Sequence, residues 1–396
     1  SLTLMAWIHP TTFGRLSGIV GNHRYIGAGS RGYSLVLDEY GHVGMVITTS
    51  GDTAQWIWST VVVGLTVWTH VSGVFDSTSL KLFINGILSG QITFPHMTMM
   101  STDDRMMIGC YQGYQGSYFS GSIDNIGLWG APCSPSHIRR SMHDRTVGIE
   151  PWLMGGWHAS EGAGNSVTDI TTGTESIVRG GTAYDRTSVV GVGRSWSGMI
   201  VSRGNIYLGG TDTRVDVLDV SKNVELVVHS IVDVDEVVAP VGVGRMFPRT
   251  WVIRTYGAGT FVGSWKISIG THGLSQGDTY EPSRWVLFRR SPDGSGQWIH
   301  ASTCTLVDAR TGELTFPMQS WDGQYILGCL GDSPFNVSLD SRIEIQPVDV
   351  RVCEDGETSF SIVANGTNLR YQWRKDGRNI DGANAPTYNI SSAQSV

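Results

Sequence analysis

Apolar and polar residues alternate with a period of two over short runs along most of the chain, and glycine, asparagine and aspartate separate the runs. That period sends successive side chains to opposite faces of a strand. Leu2 to Ile8 runs apolar up to Pro10, and Gly32 to Leu37 alternates into a turn at Asp38–His42. Val43–Ile47, Thr66–Val71, Leu80–Ile84, Met106–Gly109 and Ser122–Trp129 continue the series. Asn85-Gly86, set between Leu80–Ile84 and Ile87-Leu88, is the strongest two-residue hairpin signal in the chain. A helical period appears only after Trp129, where Ser134 as cap and Pro135 as first residue predict a helix through Met142. Trp152–His158 then predicts another strand. Further runs at Val215–Val220, Val224–Val228, Arg249–Arg254, Trp265–Ile269 and Arg284–Arg289 predict a second β-rich region.

Composition supports this reading. The chain has 396 residues, enough for two or three cores, with 51 glycines and only 16% charged residues. Its formal charge of −7 and scattered lysines oppose a nucleic-acid footprint. No apolar run approaches the roughly 20 residues of a membrane helix, so no membrane insertion is expected in this segment. The sequence opens at Ser1 without an initiator Met and is read as an excerpt, with a first strand expected to be missing before Leu2. The odd count of cysteines fits neither a zinc site nor a dense disulfide framework. Cys304 and Cys329 could meet if their strands pair, but buried thiols are the simpler expectation.

The order Trp7, Trp68-Thr69-His70-Val71, Phe75-Asp76, Leu82 to Gly86, Ile108-Gly109, Gly121 to Asn125 and the Ser134–Met142 segment resembles laminin G-like and pentraxin-like jelly rolls of the concanavalin A-like lectin/glucanase superfamily. Gly155-Gly156-Trp157 and Val167-Thr168-Asp169 resemble a segment that accompanies such domains in large bacterial surface proteins. Ile345-Gln346-Pro347, Phe360–Ala364 and Tyr371–Gly377 resemble the first strands of an immunoglobulin-like domain, with Trp373 as its buried tryptophan. The expected fold is therefore all-β: a jelly roll over 1–187, a β-sandwich over 188–340, and a partial Ig-like domain over 341–396.

The superfamily includes glucanases, whose chemistry depends on catalytic carboxylates. Retaining hydrolysis needs two of them about 5–5.5 Å apart, supplied in these families by Glu-x-Asp-x-Glu or Glu-x-Asp-x-x-Glu strands. No such run occurs; Asp233-Val234-Asp235-Glu236 lacks the leading glutamate and reads as a solvated strand end. Ser291 to Trp298 is close to a sialidase Asp-box with its glycine displaced, and reads as a turn. His70 is expected to pack beside Trp68. No catalytic residue is assigned, and the chain is read as a non-enzyme.

The resemblance implies a rim at which Ca²⁺ can sit. The acids expected after Ile108-Gly109 are replaced by Cys110-Tyr111-Gln112, which leaves Asp124 as the candidate for one structural ion, with a simple turn aspartate as the alternative. For a ligand, exposed aromatic rings are the useful signal, because sugars stack on them. Trp56 and Trp58 share a strand face; Tyr111, Tyr114 and Tyr118 lie in a glycine-rich loop with Gln112 and Gln115. Core packing explains the tryptophans equally well, so the tyrosine loop is preferred. The chain is expected to be an extracellular or cell-surface segment binding a glycan or an extracellular protein. The alternatives are a stalk without ligand and accessory modules of a glycan-active enzyme whose catalytic domain lies elsewhere.

Overall fold

The computed structural model describes residues 1–26, 29–112, 117–144, 148–159, 166–177, 195–231, 239–240, 242–270, 281–330, 342–345, 347, 352, 356–365, 371–375 and 378–392. The first region is built from β1 (Leu2–Pro10), β2 (Leu16–Gly21), β3 (Arg24–Ile26), β4 (Gly29–Arg31), β5 (Tyr33–Asp38), β6 (His42–Thr49) and β7 (Thr53–Val62). It continues with β8 (Thr69–Phe75), β9 (Ser79–Ile84), β10 (Ile87–Thr93), β11 (Met107–Ile108), β12 (Gly121–Trp129), helix α1 (Pro135–Ser141) and β13 (Leu153–Trp157).

A six-stranded sheet, β10-β9-β8-β1-β12-β13, faces a five-stranded sheet, β11-β2-β5-β6-β7. Leu4, Ala6, Ile8, Val71, Phe75 and Leu82 from the first interdigitate with Leu35, Leu37, Met45 and Ile57 from the second. These are the alternate residues of each strand, as the period of two requires. Gly73 belongs to this layer: a Cβ there would lie 2.5 Å from the Met45 sulfur, so only glycine lets the sheets close. β1 is hydrogen-bonded on both sides, to β8 and to β12, so the strand that opens the sequence lies inside the sheet and is no open edge.

Local chemistry sets the connections. Asn85 and Gly86 adopt φ of 50° and 75°, the conformation of a two-residue hairpin that joins Ile84 to Ile87. Ser134 caps α1 by accepting the His137 N–H at 3.1 Å. A hairpin of β14 (Ser166–Thr168) and β15 (Glu175–Ile177) follows β13, and the Asp169 carboxylate fixes it by accepting the N–H groups of Gly156 and Thr171.

The second sandwich comprises β16 (Ser195–Ile200), β17 (Gly204–Leu208), β18 (Thr213–Val220), β19 (Glu225–Ile231), β20 (Val243–Tyr256) and β21 (Phe261–Ser268). β22 (Trp285–Arg290), β23 (Ile299–Thr303), β24 (Leu306–Asp308), β25 (Glu313–Met318) and β26 (Gly323–Leu330) complete it. Its sheets run β16-β19-β20-β26-β22-β23 and β17-β18-β21-β25-β24. Trp251, Trp265, Trp285 and Tyr325 fill the space between them. Cys304 and Cys329 are both buried there as free thiols. The Ser291–Trp298 segment joins β22 to β23 as a turn, in which the Asp293 carboxylate accepts from the Ser295 N–H and hydroxyl.

The described part of the last region forms three two-stranded sheets: Arg342–Ile345 with Val363–Asn365, Thr358–Ser361 with Thr387–Ile390, and Arg374–Lys375 with Arg378–Asn379. Trp373 is half-buried between Phe360 and Tyr388, with its N–H donated to the Ala385 carbonyl, and is not the fully buried centre expected of it.

Candidate functional site

The outward residues of β7 are Ala54, Trp56 and Trp58, because Ile57 between them points into the core. Their neighbours across β6 are Val46 beside Trp56 and Gly44 beside Trp58. Glycine at 44 decides how Trp58 lies. A Cβ there would stand 2.6 Å from Cζ3 and 2.9 Å from Cη2 of the indole, so the six-membered ring rests directly on the Gly44 backbone. The two indoles are stacked, with centroids 5.8 Å apart and planes 13° apart. Trp58 is 37% exposed, and Trp56 is half-buried.

Tyr111 joins this group from the other side. It is 1% exposed and lies on the same outer face, over Val36 and Val46. Its ring meets Trp56 edge-on at 6.3 Å and stacks on His23 at 5.8 Å. The Tyr111 hydroxyl is 2.8 Å from His23 Nδ1. Burial lowers the His23 pKa to about 4, so its ring is neutral at pH 7. Gly18 makes the arrangement possible: a Cβ on it would stand 2.1 Å from the Cys110 carbonyl carbon, so the loop after β11 sits directly on β2. The Gly18 and Tyr111 N–H groups both donate to the Ser117 carbonyl.

The preferred tyrosine loop is thus corrected at its first member. Tyr111 is a core side chain because the loop folds flat onto a glycine, which buries a ring that the glycine-rich sequence had suggested was exposed. Gln112 uses its side-chain amide to hold the Arg105 carbonyl at 2.8 Å. Tyr118, opposite Cys110 in an isolated bridge, is 67% exposed. Tyr114 and Gln115 lie outside the described residues. The structure therefore brings Trp56, Trp58 and Tyr111 together in one cluster, and it adds His23 and Gly44, which carried no periodic signal of their own.

Asp124 is nine-tenths buried in the body of β12, opposite Trp7, rather than on an exposed rim. Its Oδ1 accepts the Asn125 N–H at 2.7 Å. Among the described residues no group of three histidine, cysteine or acidic side chains is placed to hold a metal ion. His70 packs edge-on against Trp7, its cross-strand partner, at 5.4 Å, whereas Trp68 precedes β8 and meets His9 at 5.2 Å. Asp233 to Glu236 lies outside the described residues. No helix among the described residues is long and apolar enough to cross a membrane.

No curated protein matches the sequence. Among solved structures, a Bacteroides ovatus protein provisionally assigned to carbohydrate binding is 14% identical at a TM-score of 0.36, over 45% of this chain. The chain spans only about half of that protein, 54% of its length. The CBM40 module of Ruminococcus gnavus IT-sialidase, bound to α2,3-sialyllactose, is 21% identical over 35% of this chain and 80% of its own, at a TM-score of 0.31. The SAP-like pentraxin of Limulus polyphemus is 16% identical over 45% of this chain and 83% of its own, at a TM-score of 0.29. Residues 1–139, which carry the five-stranded sheet, every strand of the six-stranded sheet except β13, and the start of α1, match the family of the concanavalin A-like lectin/glucanases superfamily.

Proposed function

We propose that this chain is a non-catalytic carbohydrate-binding segment of a secreted or cell-surface multidomain protein, and that it meets its glycan at Trp56 and Trp58. The observation that carries the reading is the seating of Trp58. An indole pressed onto the Gly44 backbone is fixed in place before any ligand arrives, and it keeps more than a third of its surface in water. A fixed aromatic plane suits the apolar C–H face of a pyranose ring, and ordering it beforehand removes part of the entropy cost of binding. Tyr111 and His23 act beneath as support, and the superfamily of residues 1–139 is one of lectins and glucanases.

A glycan array probed with the full chain, with and without Ca²⁺, tests this. Wild type binds at least one oligosaccharide, and Trp58→Ala loses that binding about tenfold or more while keeping its melting temperature. Silence of the wild type under both conditions favours a stalk without ligand. Hydrolysis of any β-glucan by the chain overturns the non-catalytic reading. A Ca²⁺-dependent gain that Asp124→Asn removes would assign an ion to that carboxylate.

A further inference from the structure

The outer face of the six-stranded sheet in the first sandwich is covered twice. α1 lays Ile138 on Met5, Val74, Phe83 and Trp129. The second sandwich covers the adjoining area: Val227 of β19 and Tyr256 of β20 close over Trp7, Trp68 and Met142. Polar contacts surround this apolar centre. Arg139 of α1 pairs with Glu225 at 2.5 Å, and Ser136 donates to the same carboxylate at 3.2 Å. The Arg139 guanidinium lies 4.3 Å from the centre of the Tyr256 ring and donates to the Gly86 carbonyl at 3.0 Å. The Tyr256 hydroxyl donates to the Asn85 carbonyl at 3.4 Å.

Three buried histidines lie within the contact. His70 and His143 flank the Trp7 indole at 5.4 and 5.0 Å, and His229 of β19 lies 5.0 Å from His143. His229 Nε2 is 2.7 Å from the Arg140 carbonyl oxygen, so Nε2 carries the proton and donates. Its Nδ1 is buried and has no hydrogen-bond partner among the described residues, so a second proton there would meet no acceptor. The charged and titratable groups packed around are Asp124 of β12 opposite Trp7, Arg139 and Arg140 of α1, Asp144 beyond it with its carbonyl accepting from Asn125, Glu225 on β19, Arg254 and Tyr256 on β20, and Asp322 before β26. Glu225 is already paired with Arg139, and Arg254 acts on both His70 and His229.

We propose that this contact is an acid-sensitive latch: the two sandwiches dock as one body at neutral pH, and protonation of His70 and His229 releases them. Burial first, and the Arg254 charge second, holds His70 near 3. Burial, with Arg254 adding to it against the opposing Arg140 carbonyl, holds His229 near 4. A ring that release exposes to water moves back toward about 6.5. Docking is therefore at full strength above pH 6.5 and weakens as pH falls from there toward 4. For His229 alone the docking constant at pH 4.5 is about 70-fold below its value at pH 7.5. The latch is independent of the glycan reading, since Trp56 and Trp58 lie on the opposite face of the first sandwich.

The test is small-angle scattering of the full chain from pH 8 to 4, with far-ultraviolet circular dichroism recorded in parallel. The radius of gyration is expected to stay constant above pH 6.5 and to rise below it, while the β signal is unchanged. In His229→Gln the amide still donates to the Arg140 carbonyl but takes up no proton, so opening shifts to lower pH. In Glu225→Gln the ion pair is lost, so opening begins at higher pH than in wild type. An unchanged radius down to pH 4, expansion only together with loss of the β signal, or wild-type midpoints in both variants would each overturn the proposal.

Discussion

Tyr111→Phe separates a supporting tyrosine from a ligand-contacting one. The substitution keeps the ring, and with it the stacking on His23 and the edge contact with Trp56. It removes only the hydroxyl, which sits 2.8 Å from His23 Nδ1 in a site 1% exposed. Losing a buried neutral hydrogen bond costs about 1 kcal/mol. Tyr111→Ala also removes the ring over Val36 and Val46, and by analogy with other large-to-small aromatic changes costs about 3–5 kcal/mol. Urea unfolding at pH 7, followed by circular dichroism, reads both numbers as shifts of midpoint at constant slope. The Phe variant should bind glycan as wild type does. The reasoning fails if Tyr111→Phe unfolds within about 0.3 kcal/mol of wild type, well below the range for a buried hydrogen bond. It also fails if glycan binding is lost while stability is unchanged.

Gly44→Val should lift Trp58 from its seat, lowering glycan affinity about tenfold while the melting temperature, read by calorimetry, moves little, because the displaced ring is at the surface. Asp76 ties the turn between β8 and β9 by accepting from Thr78, Ser79 and, at 2.7 Å, Lys81. Burial pushes its pKa up, but these donors outweigh it and hold the carboxyl well below the usual carboxylate range. That stabilisation is present above about pH 4 and is lost as pH falls further. Asp76→Ala should thus cost about 1 kcal/mol in urea unfolding at pH 7 and progressively less at pH 3. Gly86→Ala places a Cβ at φ 75° and 2.9 Å from Arg139 Cγ. A loss of about 1–2 kcal/mol is expected in thermal melts.

What could be read from the sequence was what neighbouring residues decide. Asn85-Gly86 and Ser134-Pro135 announce a hairpin and a helix start through their own backbone preferences, and both occur. The alternation of Trp56, Ile57 and Trp58 puts the indoles on one face, but period alone does not say which face is outward. That depends on the facing sheet. Tyr111 is buried against the sequence expectation because its burial rests on Gly18, far away in the chain, where a missing side chain lets the loop descend. β2 leaves no alternating signal, because Gly18 and Gly21 interrupt its apolar run. One long-range feature did leave a trace. Leu2 to Ile8 is apolar without alternation, as for a strand covered on both faces, and Met5 and Trp7 are buried against α1 and the second sandwich. The Ig-like reading of the last region stays with its sequence, since the family match ends at residue 139.

The covered face of the six-stranded sheet bears on how this chain can be divided. A cut anywhere between the sandwiches leaves Trp7, Trp68 and Met142 on one fragment and Val227 and Tyr256 on the other, each an apolar patch newly facing water. Fragments made at that junction should be sticky and poorly soluble. The natural unit for recombination, expression or grafting is accordingly the pair of sandwiches, even though each has a complete core of its own.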